Sequence, residues 1–145
     1  MGTPNSQGTP PLDGILETPV YVEDAERADR FYAGVLGLTR MSTGPRIQAY
    51  SAGPAQTLLV CRRGATDDDV VTEDGTVPGH RSVGPAHMAF RIPDDQFDAW
   101  LAHLRANDVA VYSTMRWPRG GRSVYFHDPD GNVLELATPG VWANY

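Results

Sequence analysis

Apolar positions along this chain alternate between a period of two and a period near 3.6, and they do so in the same order in each half, which predicts strand, helix and further strands twice over. Residues 16–22 have the composition of a strand, with Leu16, Val20 and Val22 on one parity and Glu17 on the other. Pro19 removes a backbone donor there and predicts an edge or a bulge. Asp24 then offers an N-cap and Glu26 a first-turn acid. Ala28, Phe31, Tyr32, Val35 and Leu36 follow at helical spacing until Gly37 ends the run. Weaker strands occupy residues 39–61, the clearest being 57–61 after the turn signal Ser51-Ala52-Gly53-Pro54.

The second half follows the same plan. A strand over residues 86–92 is stopped by Pro93, with Asp94 as the next cap. Phe97, Trp100, Leu101 and Leu104 give one apolar helical face. Three strands are predicted at 109–115, 123–127 and 132–138, the first two joined by Trp117-Pro118-Arg119-Gly120-Gly121 and the last two by Asp128-Pro129-Asp130-Gly131. The expected fold class is α+β, with two βαβββ modules over about residues 14–62 and 85–138. A loop over about 63–84, rich in acidic residues, Gly and Pro, links them, and residues 1–13 form a flexible tail within an otherwise single domain of 14–145. One helix per four strands leaves the other face of each sheet to line a cavity or to meet a partner.

Composition narrows the function classes. At 145 residues the chain suits one domain or two half-domains sharing a core, not separate cofactor and substrate domains. A net charge of −6, without a run of Lys and Arg, argues against nucleic acid or an anionic membrane as partner. No apolar stretch approaches the roughly 20 residues of a membrane span, and the N-terminus has neither the basic start nor the apolar centre of a signal peptide, so a cytoplasmic protein is expected. Cys61, in the apolar run Leu58-Leu59-Val60-Cys61, reads as a buried small hydrophobe.

The two halves also share a chemical signature. Asp24 follows Glu17 by seven residues, and Asp94 follows His87 by seven. Glu135 lies on the last strand. Each of these three stands on the parity opposite the apolar residues of its strand: Glu135 opposes Leu134 and Leu136, and His87 opposes Met88, Phe90 and Ile92. Two carboxylates and an imidazole, presented on the faces away from the helices, make a candidate three-ligand divalent-metal site. The competing readings are a solvated strand-start carboxylate for Glu17 and a core histidine satisfied by a neighbouring hydroxyl for His87. Glu135, on a strand otherwise apolar, has to be paired, coordinated or exposed. On residues 123–127 the same parity turns Ser123, Tyr125 and His127 toward the open side, with Val124 and Phe126 under the helix.

These residues resemble the vicinal oxygen chelate superfamily, which includes glyoxalase I, extradiol dioxygenases, fosfomycin-resistance enzymes and bleomycin-binding proteins. The resemblance covers about residues 16–142 and is carried by Tyr21-Val22-Glu23-Asp24 with Arg30-Phe31-Tyr32 and Leu36-Gly37-Leu38, by Gly84-Pro85-Ala86-His87-Met88-Ala89-Phe90, and by Tyr125-Phe126-His127-Asp128-Pro129-Asp130-Gly131-Asn132 with Leu134-Glu135-Leu136. It implies curved mixed sheets around a cavity, with Glu17, His87 and Glu135 as metal ligands and open positions for a chelating substrate. Thr57, Leu58 or Leu59 stands where a four-ligand member would place another ligand. The Glu-His-Glu set departs from the two-His, one-carboxylate triad and so argues against an extradiol dioxygenase, while Zn, Mn, Fe, Ni and Co all suit it. Pro19 in place of a hydroxyl residue, and the lack of a basic residue over 141–145, argue against a fosfomycin transferase.

The function expected is therefore a metal-dependent, glyoxalase-like enzyme of lyase, isomerase or dioxygenase type, acting on a small oxygen-chelating substrate. Glu135 is the candidate proton carrier and Tyr125 a candidate acid or hydrogen-bond donor. Ser123, Tyr125, Arg119, Arg122 and Trp117 are candidate substrate contacts, with turn solubility the plain alternative for the two arginines. His80, His103 and His127 read first as surface residues, Trp100 as helix packing and Trp142 as a tail contact. The rival function is a non-catalytic protein of the bleomycin-resistance kind that sequesters a small molecule. A homodimer is expected in either case, with strand pairing inside one chain or between chains left open.

Overall fold

The computed structural model describes residues 8–145, so the first seven positions of the expected N-terminal tail lie outside the described residues. Among the described residues ten strands form two four-stranded sheets and one two-stranded ribbon. The first sheet has the order β1-β4-β3-β2, from β1 (Glu17–Val22), β2 (Thr39–Thr43), β3 (Ile47–Gly53) and β4 (Gln56–Arg62). The ribbon is β5 (Val70–Thr72) with β6 (Gly75–Val77). The second sheet, β7-β10-β9-β8, repeats the first with β7 (His87–Arg91), β8 (Ser113–Arg116), β9 (Arg122–His127) and β10 (Val133–Ala137). In each sheet the opening strand runs parallel to the closing strand, β1 with β4 and β7 with β10, and the remaining pairs are antiparallel. Pro19 sits where its missing donor does least harm, since β1 is the terminal strand of its sheet.

Helix α1 (Ala25–Asp29) starts as its sequence predicts, with Asp24 Oδ1 accepting from the backbone N–H groups of Glu26 and Arg27, each at 3.0 Å. It then widens into a π-helix over Arg30–Val35, marked by Leu36 N–H donating to Phe31 C=O at 3.0 Å. The second helical segment departs from expectation at its start. Asp94 opens a 3-10 turn (Asp94–Gln96) instead of capping, because Arg122 engages it through both its carbonyl at 3.1 Å and its carboxylate at 3.3 Å, and α2 (Phe97–Ala106) begins after it. The strand expected at 109–115 is shorter and later. Val109 and Val111 pack on the core first, behind the left-handed Asp108 at φ 57° that closes the helix.

The helix-covered faces of both sheets meet in one core. Val20, Val22, Leu58 and Val60 enter it from the first sheet, Val124, Phe126, Leu134 and Leu136 from the second, and Phe31, Tyr32 and Leu104 from the helices. The turn before β10 clasps the modules together. Asp128 accepts from Tyr32 Oη at 2.7 Å, from Asn132 Nδ2 at 2.7 Å and from the backbone N–H groups of Asp130 and Asn132. Asp130 in turn pairs with Arg27 at 3.0 Å and accepts from Glu23 N–H at 2.9 Å. Burial and the Asp128 charge push the Tyr32 phenol far above its ordinary value, so it acts only as a donor.

The linker between modules is not a bare loop. Besides the β5–β6 ribbon it folds back over β1 and β4: His80 exchanges bonds with Thr66 (N–H to Thr66 C=O at 2.7 Å, Thr66 Oγ1 to His80 C=O at 2.8 Å), and its Nδ1 lies 2.6 Å from Tyr21 Oη. Gly79 is required at this crossing, because a Cβ there would lie 2.7 Å from the Asp67 carbonyl carbon. The cover explains why Cys61, which shares the outward parity of β4, is fully buried, as expected, with burial pushing its thiol up to about 11. No helix among the described residues is long and apolar enough to cross a membrane.

Two tests follow from this packing. Tyr32→Phe should cost about 1.5–3 kcal/mol in urea denaturation, since it removes a buried donor to a charged acceptor. Cys61 should resist a thiol reagent in the native protein and react fully once denatured; fast native labelling would mean that residues 63–84 lift away from the sheet.

Candidate functional site

The outward face of the second sheet brings together two of the three expected ligands. Glu135 is on β10, an inner strand, with its side chain 8 % exposed, whereas His87 at the start of edge strand β7 is 54 % exposed. His87 Nε2 lies 3.4 Å from Glu135 Oε1. The far side of each group is already committed. His87 Nδ1 is 2.9 Å from Val133 C=O, which can only accept, so this nitrogen donates and Nε2 is the ring atom turned to Glu135. Glu135 Oε2 accepts a short hydrogen bond from Ser123 Oγ, which itself accepts from Trp117 Nε1 at 2.8 Å.

A lone pair on Nε2 facing a carboxylate oxygen is repulsive unless a cation stands between them, whereas a ring protonated on both nitrogens would pair with Glu135 directly. Two ligands bound at about 2.1 Å and separated by a tetrahedral angle lie about 3.4 Å apart, so the observed spacing suits a shared divalent ion without rearrangement. The tie from Nδ1 to a backbone carbonyl is the outer-shell arrangement that metal-ligating histidines use. The donor set, one imidazole and one carboxylate with their other atoms occupied, therefore fits the metal expected for this fold.

Glu17 does not join them. It opens β1 on the other sheet, and among the described residues no three His, Cys, Asp or Glu side chains come close enough to hold an ion. It lies instead beside an open cavity of about 700 Å³ faced by β1, β4 and β7, whose walls include Leu36, Leu58, Met88, Phe90 and Trp100. His87 and Glu135 are not among the residues lining that cavity.

The remaining candidates divide. Tyr125 stands directly opposite Glu135 in the β9–β10 register, with its ring 6.3 Å from that of His87. Burial, and then the Glu135 charge, hold its phenol above the ordinary value, so it remains a donor at neutral pH. Ser123 is fully buried with its hydroxyl spent on Glu135, and Trp117 contributes its indole N–H to Ser123, a role its position in the turn did not suggest. Arg122 is removed from the site altogether. It shares the parity of Val124 and Phe126, lies over the Phe97 ring at 4.4 Å and bonds Asp94. Arg119 is exposed at the hairpin tip. Of the other histidines, His103 bonds Val35 C=O at 2.7 Å, His127 meets the Tyr112 ring edge-on, and His80 is the loop anchor on Tyr21. Trp100 packs against the core as expected, and Trp142 is 73 % exposed.

Sequence and structure comparisons agree with this architecture. A metallothiol transferase FosB from Staphylococcus epidermidis is 26% identical over 129 residues, spanning 88% of this chain and 84% of its own length. A fosfomycin resistance protein FosX from Mesorhizobium japonicum is 29% identical over 132 residues, spanning 88% and 86%. The crystal structure of a lactoylglutathione lyase from Agrobacterium tumefaciens superposes with a TM-score of 0.83 at 29% identity, covering 92% of this chain and 99% of that one. Residues 14–136 match the model of one family, so the chain belongs to the Glyoxalase/Bleomycin resistance protein/Dioxygenase superfamily.

Proposed function

We propose that this protein is a metal-dependent, glyoxalase-like enzyme that acts on a small substrate able to chelate the ion through neighbouring oxygens. The observation that carries the reading is the 3.4 Å gap between His87 Nε2 and Glu135 Oε1, with both groups oriented from behind. Relatives named as a metallothiol transferase and a lactoylglutathione lyase support the enzyme class. His87 and Glu135 would hold the ion, and Glu17 is the candidate third ligand. A bound divalent ion supplies Lewis-acid polarisation of a substrate oxygen.

The protein's own groups do the rest. Glu135 is the candidate proton carrier through Oε1, since Oε2 is held by Ser123. Tyr125 offers a protonated phenol beside it to a developing oxyanion. The fosfomycin resistance named for one relative finds less support, because the Ser123 hydroxyl is already bonded to Glu135 and the Arg122 guanidinium to Asp94.

A homodimer would complete the site. Glu17 stands on the terminal strand of the first sheet, next to the exposed Ile15 and Leu16, and His87 stands on the terminal strand of the second. A second copy could therefore bring its Glu17 to the His87–Glu135 pair of the first. The rival reading, ligand sequestration, draws on the cavity near Glu17, whose apolar walls would hold a small molecule without His87 or Glu135.

Protein purified without added metal or chelator should carry near-stoichiometric divalent ion by elemental analysis, and His87→Ala and Glu135→Ala should each lose it. Unchanged metal in both variants would sink the enzyme reading, and absence of metal even after reconstitution would favour sequestration. Co-expressed Glu17→Ala and Glu135→Ala chains should recover one ion per heterodimer, because one of the two shared sites is then intact. No recovery would place all three ligands in the same chain.

A further inference from the structure

Ser123 and Trp117 are bound into the site in a way that a substrate contact would not be. An indole N–H can only donate, so Ser123 Oγ must accept from Trp117 and has one proton left to give. That proton goes to Glu135 Oε2. The chain thus runs from indole N–H to hydroxyl and from hydroxyl to carboxylate, beside the Tyr125 phenol, which meets both Ser123 and Glu135. A hydroxyl that accepts one bond is polarised to donate the next more strongly, and this one does so in a fully buried position.

The hairpin that carries Trp117 is itself held. Trp117 N–H donates to Gly121 C=O at 2.8 Å, and Gly120 N–H donates to Trp117 C=O at 2.9 Å. Gly121 packs backbone to backbone on Gly140, where a Cβ on either glycine would overlap the other residue. Gly140 N–H is in turn tied to Tyr145 C=O at 2.8 Å, and Thr138 Oγ1 accepts from Arg122 N–H at 2.8 Å. The C-terminal segment therefore fixes the position of an indole whose only polar atom points toward the buried carboxylate through one hydroxyl.

From this geometry we infer that Trp117 and Ser123 are positioning residues for Glu135, a two-link relay that occupies Oε2 and leaves Oε1 as the single oxygen presented to an ion beside His87. The inference rests on the metal-site reading above. Its consequence is a preference for one-oxygen binding by Glu135, which leaves more of the ion's coordination open to a chelating substrate than a two-oxygen carboxylate would.

The test is titration of the full-length metal-free protein with Co²⁺, following both affinity and the visible absorption of the bound ion, with thermal melting of each metal-free variant alongside. Ser123→Ala should weaken Co²⁺ binding by about 10- to 100-fold, the range for loss of an outer-shell partner. Trp117→Phe, which keeps the ring and deletes the N–H, should weaken it less. Ser123→Thr, which restores the donor, should bind as the wild type does. Loss of the relay should also dim the visible bands, as Glu135 turns to bind through both oxygens and the coordination number rises. Wild-type affinity and spectrum in both Ser123→Ala and Trp117→Phe, with binding still lost in Glu135→Ala, would overturn the relay and leave the metal site standing. Unaltered binding in Glu135→Ala would remove the metal-site reading and the relay with it. Should Ser123→Ala fail to fold, Trp117→Phe and Ser123→Thr decide the matter on their own.

Discussion

A carboxylate buried on an inner strand is the constraint around which the second module is arranged. Glu135 lies between Leu134 and Leu136, both in the core, and its own side chain is almost wholly withdrawn from water. An unpaired charge there would be prohibitive, and removing any one partner of a buried charged group is costly because the others are left facing it. The neighbouring strands answer this need from opposite sides. β9 supplies the Ser123 hydroxyl to one oxygen, and β7 brings the His87 imidazole to 3.4 Å from the other, the gap an ion would fill. The same charge, acting after burial, keeps the Tyr125 phenol protonated on the strand position directly opposite.

The strand that carries Glu135 is held in register from its N-terminal end by the intermodule clasp. Asp128 and Asn132 close the turn immediately before β10, and Tyr32 and Arg27 reach that turn from the helical segment of the other module. Packing of the first helix and placement of the site are thus coupled through one buried polar network. Such networks are demanding when incomplete. Here Arg27 Nε and Asp130 Oδ2 are the two buried side-chain atoms among the described residues that lack a hydrogen-bond partner.

Much of this was legible in the residues, and the failures have physical causes. Strand parity placed Glu17, His87 and Glu135 on the faces opposite the core because burial on one face forces a strict period of two. Asp24 announced its cap because its partners, the N–H groups of Glu26 and Arg27, lie two and three residues away, whereas Asp94, an equally good cap by composition, is drawn off by Arg122, twenty-eight positions further along the chain. Arg122 was read as a candidate substrate contact although its parity with Val124 and Phe126 already set it on the face that meets Phe97. The π-helical turn at Arg30–Val35 depends on how Phe31 and Tyr32 seat in the shared core, and no spacing rule encodes that. The Trp117–Ser123 bond requires the hairpin register, which the glycines permit but do not specify.

That three outward-facing residues yield a pair and not a triad follows from the core itself. Two sheets that bury their inner faces against a common set of helices and side chains turn their outer faces away from one another. Glu17 on the first sheet and the His87–Glu135 pair on the second are therefore apart within the one chain. What the packing leaves accessible is the terminal strand of each sheet, β1 with Glu17 at its start and β7 with His87 at its start. Terminal strands are where another chain can be joined without disturbing the core. Glu17, at the start of the terminal strand β1, is therefore placed where it is accessible from outside the core and not beside the His87–Glu135 pair of its own chain.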